Sequence, residues 1–198
     1  DEIITGDISG PILQVIDDLG FIQPSKIQSQ AIPILNEQKA DLIAQAQSGS
    51  GKTVAFLVSM LLHIDKDVHL PQTICLCHTR ELTQQTFNVF TKMNEYTKFK
   101  GGICINNMEP PPKDAQLLFG TPASFNYNIK EGVIDITHVN LLVIDEADAI
   151  LEKGCTHYGP TMKLIKTLPE QVQYAFFSDT LPNSVIETVK KLRNDIIT

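Results

Sequence analysis

Eight residues constrain this chain more than any others: Ala46-Gln47-Ser48-Gly49-Ser50-Gly51-Lys52-Thr53. They follow a short apolar run at 41–44 and open an amphipathic stretch at 52–64, so a strand passes through a glycine-rich loop directly into a helix. Glycines let successive backbone N–H groups wrap phosphate oxygens, and a helix start adds the positive end of its dipole. Ser48, Gly49, Ser50 and Gly51 supply that wrapping backbone. Lys52 is spaced to reach β- and γ-phosphates, and the Thr53 hydroxyl to ligate Mg²⁺. Ala46 stands where the pattern has its first glycine, which an alanine tolerates if its φ is negative. A loop that merely capped a helix would have no need of Gly-Lys-Thr in this setting.

The rest of the chain agrees with that beginning. Short, continuous apolar runs at 41–44, 73–77, 102–105, 115–119, 139–144 and 173–177 read as strands covered on both faces. Helical patterns at 52–64, 80–96, 122–130 and 182–193 alternate with them, and two more, 10–19 and 25–36, precede the first strand. Alternation of this kind predicts an α/β fold: a mostly parallel, twisted sheet with helices on both faces. Ligands on such sheets bind where strands end, so functional residues are expected just after strands.

Composition sets limits. With 198 residues the chain is one domain's worth of sequence, large enough for its own core. Its 16 basic and 23 acidic residues leave a net charge of −7, which argues against a surface coated in cations for gripping duplex DNA or an anionic membrane. Nucleic acid stays possible, because backbone N–H groups and helix starts also hold phosphates. Cys75, Cys77, Cys104 and Cys155 lack metal-ligand spacing and read as reduced, buried side chains, with Cys75 and Cys77 on one strand face. His63, His69, His78, His138 and His157 lack such spacing too, and His63 and His69 read as solvated. No run approaches the ~20 apolar residues that span a bilayer. A soluble, intracellular monomer without membrane contact is expected.

A second motif ends the 139–144 run: Leu141-Leu142-Val143-Ile144-Asp145-Glu146-Ala147-Asp148. An acidic cluster after a strand is ordinarily a solvated turn. In a chain that carries a phosphate loop it suits a metal-holding and hydrolytic pair, with Asp145 on Mg²⁺ and Glu146 orienting and deprotonating a water.

Together these motifs resemble the DEAD-box RNA helicases, and other segments agree in order. Gly20-Phe21-Ile22-Gln23-Pro24-Ser25-Lys26-Ile27-Gln28 is similar to the family's Q motif. The resemblance implies that Phe21, Gln23 and Gln28 bind ATP, with the Gln28 amide reading the adenine edge by donating and accepting one bond each. Thr79-Arg80-Glu81-Leu82 resembles P-T-R-E-L with His78 in place of proline. Gly101-Gly102 resembles the paired glycines, and Gly120-Thr121-Pro122-Ala123-Ser124 resembles T-P-G-R with Ser124 in place of arginine. In the family these elements hold the RNA backbone, so Thr79, Arg80, Glu81, Gly101, Gly102, Thr121 and Pro122 are the implied RNA contacts.

Ser178-Asp179-Thr180 resembles S-A-T, which implies that Ser178 and Thr180 couple the nucleotide state to Asp148. If Asp179 points away from the hydroxyls, its carboxylate is harmless; if it turns inward, it crowds Asp145, Glu146 and Asp148 with like charge. The family's upstream adenine-stacking aromatic aligns with Ile3.

The resemblance covers nearly the whole chain and half of a helicase. It implies one RecA-like ATP-binding domain at 1–198, with the Q-motif segment at about 1–36 and a second RecA-like domain outside the chain. The expected cofactors are ATP and Mg²⁺, with Lys52, Asp145 and Glu146 catalytic. The expected partners are RNA, held without sequence preference, the second domain and a regulatory protein. Pro24-Ser25-Lys26-Ile27-Gln28, Pro71-Gln72-Thr73-Ile74-Cys75-Leu76 and the missing arginine further resemble the mRNA-export branch, which implies a cytoplasmic or nuclear location and the nuclear pore. Alternatively, Ser124 and Asp179 fit a non-catalytic, ATP-dependent RNA clamp. Another kind of P-loop ATPase is disfavoured by Gln28, the T-R-E-L stretch and the literal D-E-A-D.

Overall fold

A computed structural model describes residues 25–198. Its elements run α1 (Lys26–Asn36), β1 (Leu42–Gln45), α2 (Lys52–Leu62), β2 (Thr73–Leu76), α3 (Arg80–Met93), β3 (Gly101–Cys104), β4 (Leu117–Gly120), α4 (Pro122–Lys130), β5 (Leu141–Asp145), α5 (Ala147–Leu151), α6 (Tyr158–Thr167), β6 (Gln173–Ser178) and α7 (Asn183–Leu192). All six strands pair in parallel, in the order β1-β6-β5-β2-β4-β3. The expected α/β architecture is present, and each expected strand lies within two residues of its observed place. The helix expected at 10–19 lies outside the described residues.

Side chains alternate along the strands and split the core in two. Cys75, Cys77, Leu141, Val143, Ala175 and Phe177 face one layer with α1, α2 and α3, where Phe56, Met60 and Phe90 fill the space. Ile74, Leu76, Leu142, Ile144, Tyr174 and Phe176 face the other, against Phe125, Ile150, Leu164, Val185 and Val189 from α4 to α7. Each fully buried Phe or Leu contributes about 1.5–3 kcal/mol of transfer free energy, so the continuous apolar strands anchor both layers. No helix among the described residues is long and apolar enough to cross a membrane.

Three expectations are corrected. Helix α3 stops at Met93 rather than 96, because Asn94 folds its amide onto the following backbone, donating to Phe99 O at 2.6 Å and accepting from Phe99 N–H at 2.8 Å. His63 is not solvated: Nδ1 lies 2.7 Å from Ser59 O and Nε2 2.9 Å from Gln173 Oε1, and burial pushes its imidazole pKa down. Cys75, Cys77 and Cys104 are buried, but Cys155 is only half-buried. Burial pushes the Cys75 thiol well above its ordinary value and the Cys104 thiol up to about 12, so neither is a thiolate at neutral pH.

Candidate nucleotide and RNA site

Parallel strands share one carboxyl edge, and five of the loops beyond it carry the motif residues. Ala46 N–H donates to Ser178 O at 2.8 Å, which extends the β1–β6 pairing one residue into the loop. Ala46 is absent from the positive-φ positions, so its Cβ costs nothing there. Gly49 and Gly51 do need their glycines, at φ +80° and +88°. Gly51 then caps α2 without a side chain, which leaves the first-turn N–H groups for an anion.

Helix α1 is docked against this loop by its own cap. Ser25 and Gln28 form a capping box in which Gln28 Oε1 accepts from Ser25 N–H at 2.9 Å. Gln28 Nε2 donates to Gly51 O at 3.3 Å, and Gln28 is only 1% exposed. A Cβ at Gly51 would lie 2.6 Å from Gln28 Nε2, so the missing side chain makes this approach possible. Among the described residues one N–H and one Oε1 lone pair of the amide have no partner, the pattern an adenine edge requires. The contact between Gln28 and the phosphate loop was not legible in the sequence. Phe21, Gln23 and Ile3 lie outside the described residues.

Opposite the loop, Asp145 ends β5 and is 1% exposed. Its Oδ1 accepts from Lys52 Nζ at 3.0 Å and from Glu146 N–H at 2.9 Å. Glu146 adopts a left-handed backbone, φ 51° and ψ 53°, as it caps α5. Its carboxylate is 39% exposed, with Oε2 3.5 Å from His78 Nδ1. Thr53, on the first turn of α2, is half-buried.

Asp148 gathers the β6 end. Thr180 Oγ1 donates to its Oδ2 at 2.8 Å, and its backbone N–H donates to Ser178 Oγ at 3.2 Å. Burial pushes the Asp148 carboxyl up, but hydrogen bonds from Thr180 and Ser178 and from backbone N–H groups outweigh it and hold its pKa below the usual value. Asp179 is exposed, and its carbonyl accepts from Gln45 Nε2 at 3.0 Å. The like-charge crowding that an inward Asp179 would impose is not among the influences that shift the Asp148 carboxyl.

The implied RNA residues divide. Thr79 caps α3, accepting from Leu82 N–H at 3.0 Å, and Arg80 and Glu81 follow it exposed on the first turn. Thr121 and Pro122 open α4 at the same edge. Ser124 is fully buried, 2.8 Å from Thr121 Oγ1 and accepting from Asn106 N–H at 2.9 Å. Gly101 and Gly102 do not join this group. They begin β3, paired with Leu117 and Leu118, at the opposite edge of the sheet. Their lack of side chains serves packing: a Cβ would fall 2.3 Å from the Phe90 ring at Gly101 and 2.9 Å from Pro111 at Gly102. The loop that does reach the carboxyl edge from β3 holds Asn106 and Asn107, the latter at φ +66°, and a left-handed asparagine is its one local signal.

Comparison with known proteins follows the same lines. Residues 25–189 match the DEAD/DEAH box helicase family. The chain is 35% identical over 185 residues to the ATP-dependent RNA helicase ddx19 of Dictyostelium discoideum, covering 93% of this chain and 40% of that protein. Its fold superposes on S. cerevisiae Dbp5 bound to RNA and ADP BeF3 with a TM-score of 0.89 at 31% identity, covering 97% of this chain and 49% of that one. A Dbp5 variant bound to Nup159, a Gle1 variant, IP6 and ADP gives a TM-score of 0.86 at 31% identity, covering 92% and 49%. The chain therefore spans less than half the length of each of these three proteins.

Proposed function

Because the chain belongs to the DEAD/DEAH box helicase family, we propose that it is the RecA-like ATP-binding half of an ATP-dependent RNA helicase, completed by a second RecA-like domain. The observation that carries this reading is the meeting of Gln28, Lys52 and Asp145 around one glycine loop, at 3.3 Å from Gln28 to Gly51 and 3.0 Å from Lys52 to Asp145.

Gln28, with Phe21 and Gln23 ahead of it, selects adenine. The N–H groups of Ser48 to Thr53 and the Lys52 ammonium take the phosphates. Thr53 and Asp145 offer hydroxyl and carboxylate oxygens, which suit a hard divalent cation. Bound Mg²⁺ neutralises charge on the phosphate oxygens. Asp145 Oδ2, with no donor among the described residues, is the oxygen free for it. Glu146 orients the attacking water and takes its proton. Ser178 and Thr180 report the state of the β6 end to Asp148.

RNA lies along the starts of α3 and α4, against Thr79, Arg80, Glu81, Thr121 and Pro122, through backbone phosphates and without sequence reading. Hydrolysis requires RNA because two domains must close on both ligands, with a finger arginine from the second supplying up to ~10³–10⁵ in rate. By likeness to relatives that bind RNA, Nup159 and Gle1, a regulatory protein partner, a role in mRNA export and a cytoplasmic and nuclear-pore location are proposed. An Asp179 that does not perturb the Asp148 carboxyl removes one motive for a non-catalytic clamp.

Calorimetric titration with ADP and then GDP, both with Mg²⁺, tests the reading. Binding of ADP but not GDP, lost in Gln28→Ala and Lys52→Ala, is expected. Equal affinity for the two nucleotides, or none for either, overturns it.

A further inference from the structure

In the register of β2 on β5, Leu76 stands opposite Ile144. His78 and Glu146 each follow two residues later in the chain, beyond that pair. The side chains meet: His78 Nδ1 is 3.5 Å from Glu146 Oε2. That Nδ1 is buried, and no hydrogen bond in this arrangement satisfies it. A buried nitrogen without a partner is costly, and the Glu146 carboxylate stands within ion-pair reach of it. The imidazole also meets the ring of His157 edge-on, with centroids 6.2 Å apart. Glu146 has little freedom in its backbone, fixed in the left-handed region, but its side chain is 39% exposed and needs something to aim it.

We propose that His78 is a positioning residue for Glu146: its Nδ1–H donates to the carboxylate and holds it toward the attacking water. Closing from 3.5 Å to a hydrogen bond takes a movement of about half an ångström. The proline that His78 replaces has no such donor. His78 also directly precedes Thr79 and Arg80, so RNA settling on that helix start presses on the residue that aims the carboxylate. RNA contact and hydrolysis thereby share one loop, and the effect of His78 falls on turnover rather than on nucleotide affinity. This rests on the reading of Glu146 as the water-orienting group.

The test is RNA-stimulated ATP hydrolysis by the whole gene product. His78→Phe keeps a ring and removes the donor; His78→Asn places an amide N–H near the Nδ1 position. Phe is expected to lower kcat about tenfold or more with KM for ATP and ADP affinity unchanged, since small misplacement of a catalytic group costs up to ~10²-fold. Asn is expected to restore most of it. Wild-type kcat in the Phe variant, or equal loss in Phe and Asn, overturns the proposal. Should the protein bind ADP yet hydrolyse nothing, the functional reading has failed separately. The pairing is then judged on this chain by the imidazole ¹⁵N spectrum at fixed pH. Glu146→Gln must move the His78 Nδ1 resonance, and an unmoved resonance rejects the pairing.

Discussion

The ammonium of Lys52 lies 3.0 Å from the carboxylate of Asp145, and the two side chains are 11% and 1% exposed. They come from the phosphate loop and the end of β5, and each is the other's charge partner. On the proposed reading, phosphates would re-partner Lys52 and a divalent cation would take over the charge on Asp145.

Removing one member of such a pair strands the other. Lys52→Ala should cost about 2–4 kcal/mol in urea unfolding, because the Asp145 charge is left in a dry site. Lys52→Ala with Asp145→Asn should cost less than the sum of the two single changes. A Lys52→Ala variant as stable as the parent would show that the pair opens to water.

Asp148 gives a pH signature. Its folded pKa is depressed, so it contributes stability that is present above its unfolded value, about 3.9, and lost as pH falls through the folded one. Thr180→Val removes the strongest donor and should raise the Asp148 pKa, which carboxyl NMR measures directly. The accompanying stability loss at neutral pH should not exceed about 1 kcal/mol, because the site is partly solvated and screened. An unchanged titration would mean that Ser178 and the backbone hold the carboxylate alone.

Two glycines should answer differently to alanine. At Gly120 a Cβ would lie 2.1 Å from Cys104 O, inside the β3–β4 ladder. Gly120→Ala should cost about 2–3 kcal/mol as the strands move apart. Gly132 has φ +72° and open space around it, so Gly132→Ala should cost only about 1 kcal/mol of backbone strain. Equal losses in chemical denaturation would contradict the steric account.

Restoring the family's arginine should not restore an RNA contact. Ser124 is 0% exposed and ties Thr121 to the backbone of Asn106. Ser124→Arg must push a long cation out of a packed site at about 1–3 kcal/mol. A fall in Tm of about 5 °C is expected, with no gain in affinity for single-stranded RNA by fluorescence anisotropy. Tighter binding at unchanged Tm would show that the arginine finds a route to the surface.

Much of this was legible in the chain. Buried parallel strands are written as unbroken apolar runs, and a strand that turns through Gly49-Ser50-Gly51-Lys52 into a helix announces both its geometry and its chemistry. Helices α5 and α6 were not foreseen. Ala147–Leu151 is too short to show a period, and α6 opens on Tyr158-Gly159-Pro160, where Gly and Pro mask a first turn that tolerates them. The Gly101-Gly102 doublet matches the family pattern only as a bare dipeptide, and its pairing with Leu117 and Leu118 at the start of β3 is visible in the structure alone.

The strands, most of the helices, the phosphate loop and the acidic strand end can be read from the chain alone, since each depends on near neighbours and on a local period. Which distant groups share an oxygen or a proton emerges only once the chain has folded. The grip of Gln28 on Gly51, the pairing of Lys52 with Asp145, the bond from Thr180 to Asp148 and the approach of His78 to Glu146 all cross between strands or layers. Such contacts depend on strand order and register, which no single segment encodes.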